Sequence, residues 1–478
     1  MEVLSHPEVD LRSLNEKVGT PVSKFMHSIK IMVRNALLLG HLIMPLTPIA
    51  CGSEASPLDP QEEASGAVPD IYPVDELEDS EMSVIGRSEI GTRVIEGTRN
   101  MIYDDVFYGE PSGWRPGLPR GSYEFLFLSE RGLGERGPSD GKTRLYLQNL
   151  NTRKIRVLRT QVSWQRSGEI GFGPCWSHDG KEIFIGEHGK ILAVNADTGE
   201  ERRISLPYGN DLFITFLHVS PDGDKFLGVE EGHGEDGKDY HRGLFVMNVD
   251  GTGYRRIYTL DLEKEFYMDR PQFVDNNTIF FLTRGLTADG QRDYNGIFNH
   301  PFLISLKEEE EMPHNIEEWQ AYRLPLECSH SNANPDGTRI VCGQEGYIID
   351  RQGNIIHDYR GILGSHATFV DNENVIFTQQ YDWPEDSPYS GKIVIVNIRT
   401  GTITVIVDHE NSYDGGTTHH SQPNAHASPD GAFIVYVADW AVNVRNLMEV
   451  RYVEIRPTEL YFPKWIDQAE VTPHQTSR

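Results

Sequence analysis

One short pattern recurs through most of the chain: a small or apolar lead, an Asp-Gly or Asp-Asn turn, then an alternating apolar strand. It appears as CWSHDGKEIFIG (Cys175–Gly186), HVSPDGDKFLGV (His218–Val229), FVDNNTIFFL (Phe273–Leu282), NANPDGTRIVCG (Asn332–Gly343), FVDNENVIFT (Phe369–Thr378) and HASPDGAFIVYV (His426–Val437). The turn aspartates lie 35 to 61 residues apart, a spacing that suits one supersecondary unit per repeat with loop insertions. Asp-Gly supplies the positive φ of a tight turn, and runs such as AFIVYV alternate like a strand packed on both faces. A second hairpin follows in KILAVNADTGEERRI (Lys190–Ile204), RGLFVMNVDGTGYRRI (Arg242–Ile257) and KIVIVNIRTGTITVI (Lys392–Ile406), which makes about four strands per unit. No unit of this kind buries both its faces alone, so neighbours must stack, and closure into a ring removes the long exposed edges. Six units are clear, and a weaker one covers Tyr123–Leu158. The expectation is an all-β, seven-bladed β-propeller, with six or eight blades compatible. Its ring would close through a strand near Arg93–Tyr108 that joins the last blade.

Composition bears on partners. The 44 basic and 72 acidic residues give a formal charge of −28. A surface that acidic repels phosphate backbones, so no nucleic-acid partner is expected. An anionic saccharide would need a local patch of Lys, Arg or bound metal. The 45 glycines and 27 prolines fit many turns rather than long helices. Four cysteines, Cys51, Cys175, Cys328 and Cys342, show no CxxC spacing and read as neither a disulfide framework nor a zinc pattern.

The N-terminus reads as an address. Lys24, Lys30 and Arg34 precede the apolar stretch ALLLGHLIMPLTPIA (Ala36–Ala50), and Cys51 follows. A basic flank, a short apolar run and a small residue at the break describe a secretory signal. Fifteen residues with two prolines are short for a membrane span. Pro48-Ile49-Ala50-Cys51 resembles a bacterial lipobox, with proline where leucine is usual. A start at Met32 would give a signal of 19 residues. The expected organisation is an N-terminal extension and signal over 1–51, an acidic disordered linker over 52–94, the propeller over 95–462 and a tail over 463–478. The expected location is the cell envelope, periplasm or cell surface, with membrane attachment only through a lipid on Cys51. A monomer is expected.

In a propeller the innermost strand of each blade lines the axis, and ligands bind at one channel mouth. The residues ahead of each Asp-Gly turn belong to that strand. They are His218, Asp269, Arg270, His330, Asn332, His366, His419, His420, Gln422, Asn424 and His426. Imidazoles brought from different blades to one funnel, with amide oxygens beside them, form a donor set for a divalent metal. The alternative is that these side chains hydrogen-bond neighbouring blades and fill the channel. HGEDGKDYHRG (His233–Gly243) and EEEEMPHNIEEW (Glu308–Trp319) read as solvated excursions, and YDWPEDSPYSG (Tyr381–Gly391) as a rim insertion. There is no Gly-x-Ser-x-Gly, P-loop, dinucleotide fingerprint or HExxH.

The units resemble PD40 (WD40-like) repeats of TolB-like propellers. The best copies are Val219-Ser220-Pro221-Asp222-Gly223 and Ala427-Ser428-Pro429-Asp430-Gly431, and the resemblance spans roughly 95–460. A narrower resemblance is to the oligogalacturonate lyases, metal-dependent propellers of this type. HHSQPNAHASPDGAFIVYVADW (His419–Trp440) looks like their C-terminal blade. Leu363-Gly364-Ser365-His366-Ala367-Thr368-Phe369 looks like their other His-bearing lead, and Cys328-Ser329-His330 is similar to a further segment. Aligned on the Asp-Gly turn, the family's His-x-His falls on Gln422 and Asn424 and its upstream Gln near His419. The resemblance implies a divalent metal, Mn or Ca, held by His366, His419, Gln422, Asn424 and His426. It implies β-elimination on uronic-acid oligosaccharides, with His330 as base and Arg270 clamping the carboxylate. The blade that carries the family's base reads Tyr267-Met268-Asp269-Arg270-Pro271 here, without histidine. The other expectation is therefore a non-enzymatic, TolB-like propeller that holds an envelope protein or peptide at the channel mouth.

Overall fold

The computed structural model describes residues 77–79, 83–97, 104–105, 112–129, 144–159, 174–207, 212–233, 239–260, 265–285, 299–306, 323–360, 362, 366–378, 387–409, 424–439 and 448–455. They form seven antiparallel sheets, the blades of a β-propeller. Blade 1 is built on Glu124–Ser129, Arg144–Asn149 and Lys154–Arg159, with Asp104–Asp105 inside and Leu77–Asp79 outside. Blade 2 comprises Cys175–Trp176, Glu182–Glu187, Lys190–Asn195 and Glu201–Ser205. Blade 3 comprises Phe213–Val219, Lys225–His233, Asp239–Asn248 and Arg255–Thr259. Blade 4 has Glu265–Asp275, Thr278–Gly285 and Asn299–Ser305, with a single bridge from Arg323 to Phe302 in the fourth place. Blade 5 comprises Ser331–Ala333, Arg339–Cys342, Tyr347–Asp350 and Ile355–Asp358. Blade 6 comprises His366–Phe369, Asn374–Thr378, Lys392–Asn397 and Thr402–Asp408. Blade 7 comprises His426–Ala427, Phe433–Asp439 and Met448–Glu454, and is completed from the other end of the sequence.

There is no common core. Each junction between neighbouring blades holds its own apolar cluster, and the last one joins blade 7 to blade 1. The strand Phe433–Asp439 shows why its sequence is apolar throughout. Phe433, Val435 and Val437 enter the cluster with Trp114, Phe125 and Tyr452, while Ile434, Tyr436 and Ala438 enter the cluster with Ile376 and Ile393. Period-2 alternation sends successive side chains to opposite faces. A blade with a neighbour on each side needs both faces apolar.

The Ser-Pro-Asp-Gly pattern is a self-satisfied turn. Gly223 donates to the Ser220 carbonyl (2.8 Å), Lys225 N–H donates to Ser220 Oγ (2.9 Å), and Ser220 Oγ–H donates to Asp222 Oδ1 (2.5 Å). Only the glycine takes positive φ, +81° at Gly223 and +65° at Gly337 and Gly431. The turn is thus of type I followed by a left-handed glycine, rather than one with positive φ at both Asp and Gly. Glycine also meets a packing demand: a Cβ on Gly337 would lie 2.0 Å from the Val274 carbonyl oxygen of blade 4.

The ring closes where the sequence placed the closure. Arg93–Glu96 pairs with Met448–Glu454, and Ser83–Arg87 adds outside it. Arg93 makes two 3.2 Å contacts with the Glu454 carboxylate, and Thr92 Oγ1–H donates to the Glu454 carbonyl. The domain boundary at 94 therefore moves: Leu77–Asp79, Ser83–Arg87 and Arg93–Glu96 are propeller strands, not linker. These strands are short and follow an acidic stretch, which concealed them in the sequence. The cysteine reading is corrected too. Cys328 and Cys342 form a disulfide, with their Cα atoms 4.9 Å apart. Spacing of 14 residues gave no motif, but the first two strands of blade 5 bring the pair together. The expected signal, lipobox, start at Met32 and C-terminal tail lie outside the described residues.

Candidate functional site at the channel mouth

Register divides the candidate residues into two tiers. Cys175, His218, Gln272, Asn332, Thr368 and His426 pair with Phe184, Leu227, Phe280, Val341, Ile376 and Val435, the same place on blades 2 to 7. At this tier the side chains of His218, Gln272, Asn332 and Thr368 latch blade to blade. Phe273 N–H donates to His218 Nδ1 (3.4 Å). Gln272 donates to the Ser331 carbonyl (3.2 Å) and accepts from Ala333 N–H (2.8 Å). Phe369 N–H donates to Asn332 Oδ1 (3.2 Å), and Thr368 Oγ1–H donates to the Ala425 carbonyl (3.0 Å). Trp114 Nε1–H reaches the His426 carbonyl (3.2 Å) and Trp176 Nε1–H the Gly113 carbonyl (3.0 Å). For His218 and Asn332 the channel-filling role is the observed one. Desolvation lowers His218 from 6.5 to about 4, so the ring is neutral and free to accept.

Two residues earlier on each strand lies the lead tier: Phe216, Arg270, His330, His366 and Asn424 on blades 3 to 7. His330 and His366 come from adjacent blades and stack flat, ring centroids 4.5 Å apart and planes 7° apart. They are 9% and 3% exposed. Asn424 is also buried, and its Oδ1 has no hydrogen-bond partner. A buried amide oxygen without a donor costs about 1–3 kcal/mol unless something outside the chain satisfies it. Three of the four non-glycine residues with positive φ among those described are Phe216 (+47°), His330 (+48°) and Asn424 (+38°), all at this tier. The ladder of blade 3 is irregular between Thr215 and His218, and that of blade 4 between Asp269 and Gln272. Local irregularity at the lead re-aims a side chain that regular pleating would fix.

The His330 lead is the most restrained. Cys328 is disulfide-bonded two residues before it. Between them, Ser329 donates from N–H to Glu345 Oε2 (2.8 Å) and from Oγ–H to Glu345 Oε1 (2.6 Å), with Gln344 Oε1 a second acceptor at 2.8 Å. Glu345 sits in the turn that follows Cys342, and its burial raises its pKa above the ordinary carboxylate value. The disulfide and the Glu345 clamp carry no motif and were missed in the sequence. The pairing of Cys328 with Cys342 needed the register of blade 5 to be seen.

Of the expected site residues, the structure brings His330 and His366 together and sets Asn424 at the equivalent place on the next blade. His426 falls on the latch tier, 2% exposed. Arg270 holds the lead place on blade 4 by register, and its side chain lies outside what is described. His419, His420 and Gln422 lie outside the described residues. Among the described residues no three His, Cys, Asp or Glu side chains gather as a metal-holding group. Imidazole nitrogen and amide oxygen are donor types that a borderline divalent cation accepts.

No family model matches the sequence, and no curated protein matches it. Solved structures do share the fold. An oligogalacturonate lyase in complex with manganese is similar with a TM-score of 0.53 at 16% identity, over 79% of this chain and 96% of that one. An oligogalacturonate lyase from Vibrio parahaemolyticus is similar with a TM-score of 0.51 at 14% identity, over 79% and 97%. At such identities the likeness establishes the seven-bladed β-propeller fold and nothing finer.

Proposed function

We propose that this propeller is a metal-dependent lyase that cleaves uronic-acid oligosaccharides by β-elimination at the channel mouth. The observation that carries the reading is the flat His330–His366 pair, with Asn424 Oδ1, a buried acceptor left without a donor, at the equivalent place on the next blade. His366 and Asn424 would hold the cation, manganese or calcium, and the expected His419, Gln422 and His426 complete the set. A cation held by these residues would supply the positive charge that neutralises a uronate carboxylate and acidifies the neighbouring C–H. The chain's own residues supply the rest. His330 stands one ring away from His366 and takes the proton. Arg270, at the lead of the next blade, pairs the carboxylate in bidentate fashion. The electron pair of the broken C–H bond forms a C=C bond as the bond from the adjacent carbon to the glycosidic oxygen breaks, and the departing oxygen takes a proton from water. The interblade hydrogen bonds of the tier below support entry of substrate from the lead side.

Export to the cell envelope, with Cys51 as a lipid site, belongs to the same reading. The Cys328–Cys342 disulfide supports an oxidising compartment. A second reading, a binding propeller for an envelope protein or peptide, is favoured by the Arg270-Pro271 lead that stands where the lyases carry histidine. Incubation with oligouronides and Mn²⁺ separates the two. The lyase reading expects the ultraviolet absorbance of an unsaturated product, abolished in His330→Ala. No absorbance with any uronide while a peptide binds at the mouth would replace it with the second reading.

A further inference from the structure

His330, Phe216 and Asn424 adopt the same left-handed backbone at the same place on three blades, yet for different reasons. Asparagine tolerates this region, because its short amide bonds locally. Phe216 is fixed by its ring, which is buried with Leu227, Met268 and Phe273 between blades 3 and 4. Histidine is likewise enriched there relative to most side chains, though the state still departs from ordinary strand backbone. A left-handed non-glycine residue costs of order 1–3 kcal/mol and persists only where its surroundings over-determine it.

The surroundings of His330 do so on both sides. Behind it, the Cys328–Cys342 disulfide ties the approaching chain to the second strand, and both sulfurs are fully buried. Next to it, both donors of Ser329 end on the Glu345 carboxylate. Ahead of it, Gly343 N–H donates to the His330 carbonyl at 3.3 Å, just after Cys342. The restraints all come from the segment Cys342–Glu345, and they converge on one residue. A strand that merely needed to begin would not need them: His366 starts blade 6 in regular pairing with Thr378. We infer that Glu345 and the Cys328–Cys342 disulfide are positioning groups that hold His330 in its left-handed state, so that its ring lies flat on His366. The inference deepens the proposed function by naming what orients the proposed base, but it concerns geometry alone.

The test uses the full chain, without metal or substrate, and follows acylation of individual histidines by diethyl pyrocarbonate, read peptide by peptide in a mass spectrometer. The forms compared are the wild type, the Cys328→Ala/Cys342→Ala double variant, Glu345→Ala and Glu345→Gln. His409, buried at 0% exposure in blade 6, reports on melting of the whole fold. Release of the lead should raise the His330 rate about tenfold or more in the double variant and in Glu345→Ala, a change that corresponds to loss of about 1.4 kcal/mol of local restraint. His366, uncovered on one face, should follow, and His409 should not. Glu345→Gln, which keeps an acceptor oxygen for Ser329, should stay within a few-fold of wild type by the ordinary worth of one hydrogen bond. Unchanged His330 rates in both disruptive variants would overturn the inference. So would a parallel rise of His409, which would make these groups general fold stabilisers. Because no turnover is read, failure here leaves the lyase reading standing, and absence of turnover in a chain that passes here leaves the positioning role standing.

Discussion

His218 and Asn332 occupy the same place on different blades and perform the same task, accepting an N–H from the next blade. Only the histidine makes that task depend on pH. Its folded value of about 4 lies below the ordinary 6.5, so the neutral ring is favoured by folding. The stabilisation is complete above about pH 6.5 and is lost as pH falls toward 4. The ring keeps part of its surface open, so the loss should be of order 2 kcal/mol rather than the full shift. Urea unfolding between pH 7 and pH 4 should show this slope, and His218→Asn should flatten it while keeping stability near pH 7. An unchanged slope in the variant would assign the acid sensitivity to other groups. Gly337 gives a second expectation. Its φ is +65° and a Cβ would meet the Val274 carbonyl at 2.0 Å, so Gly337→Ala should cost about 2–4 kcal/mol in the same experiment. A cost near zero would show that blades 4 and 5 slide apart freely.

At the scale of the strand, every central strand feeds two junctions. Phe281, in the cluster between blades 3 and 4, stacks on Phe302 at 5.1 Å. Phe281→Ala should cost about 3–5 kcal/mol in chemical unfolding, whereas Ile355→Ala on the outermost strand, 49% exposed, should cost under about 1 kcal/mol. Equal costs would contradict the division of the fold into interblade cores. Strands of the inner kind were legible in the sequence, because runs such as FIVYV and EIFIG fill two apolar faces at period 2. The turn motif marked where the inner strand ends, and so fixed which residues precede it. Outer strands were less legible: Ser83–Arg87 follows an acidic stretch and reads as part of a linker. The two-tier division was not legible either. His330 and Asn332, or Asn424 and His426, are two residues apart and chemically alike, and only register shows that one member leads the strand and the other latches blades. The disulfide and the Ser329–Glu345 clamp bring together residues that share no motif.

For the whole molecule, closure is the property on which the lead tier depends. Arg93–Glu96 comes from near one end of the described chain and Met448–Glu454 from the other, so the ring is sealed by pairing across the sequence. A chain that starts at residue 82 should keep the elution position of the full chain and unfold in one step, and one that starts at residue 98 should aggregate, because blade 7 would expose an apolar strand edge. Equal behaviour in size-exclusion chromatography would mean that closure is carried elsewhere. The formal charge of −28 makes a local cation the natural way for an anionic saccharide to approach such a surface. The central claim is that His366 and Asn424, at equivalent leads of neighbouring blades, hold that cation. It is tested most directly by elemental analysis of the purified chain after equilibration with Mn²⁺, beside the His366→Ala/Asn424→Ala variant. The account predicts about one manganese per chain in the wild type and a loss of affinity of about 10–100-fold or more in the variant. A metal-free wild type, or a variant that retains the metal undiminished, would contradict it.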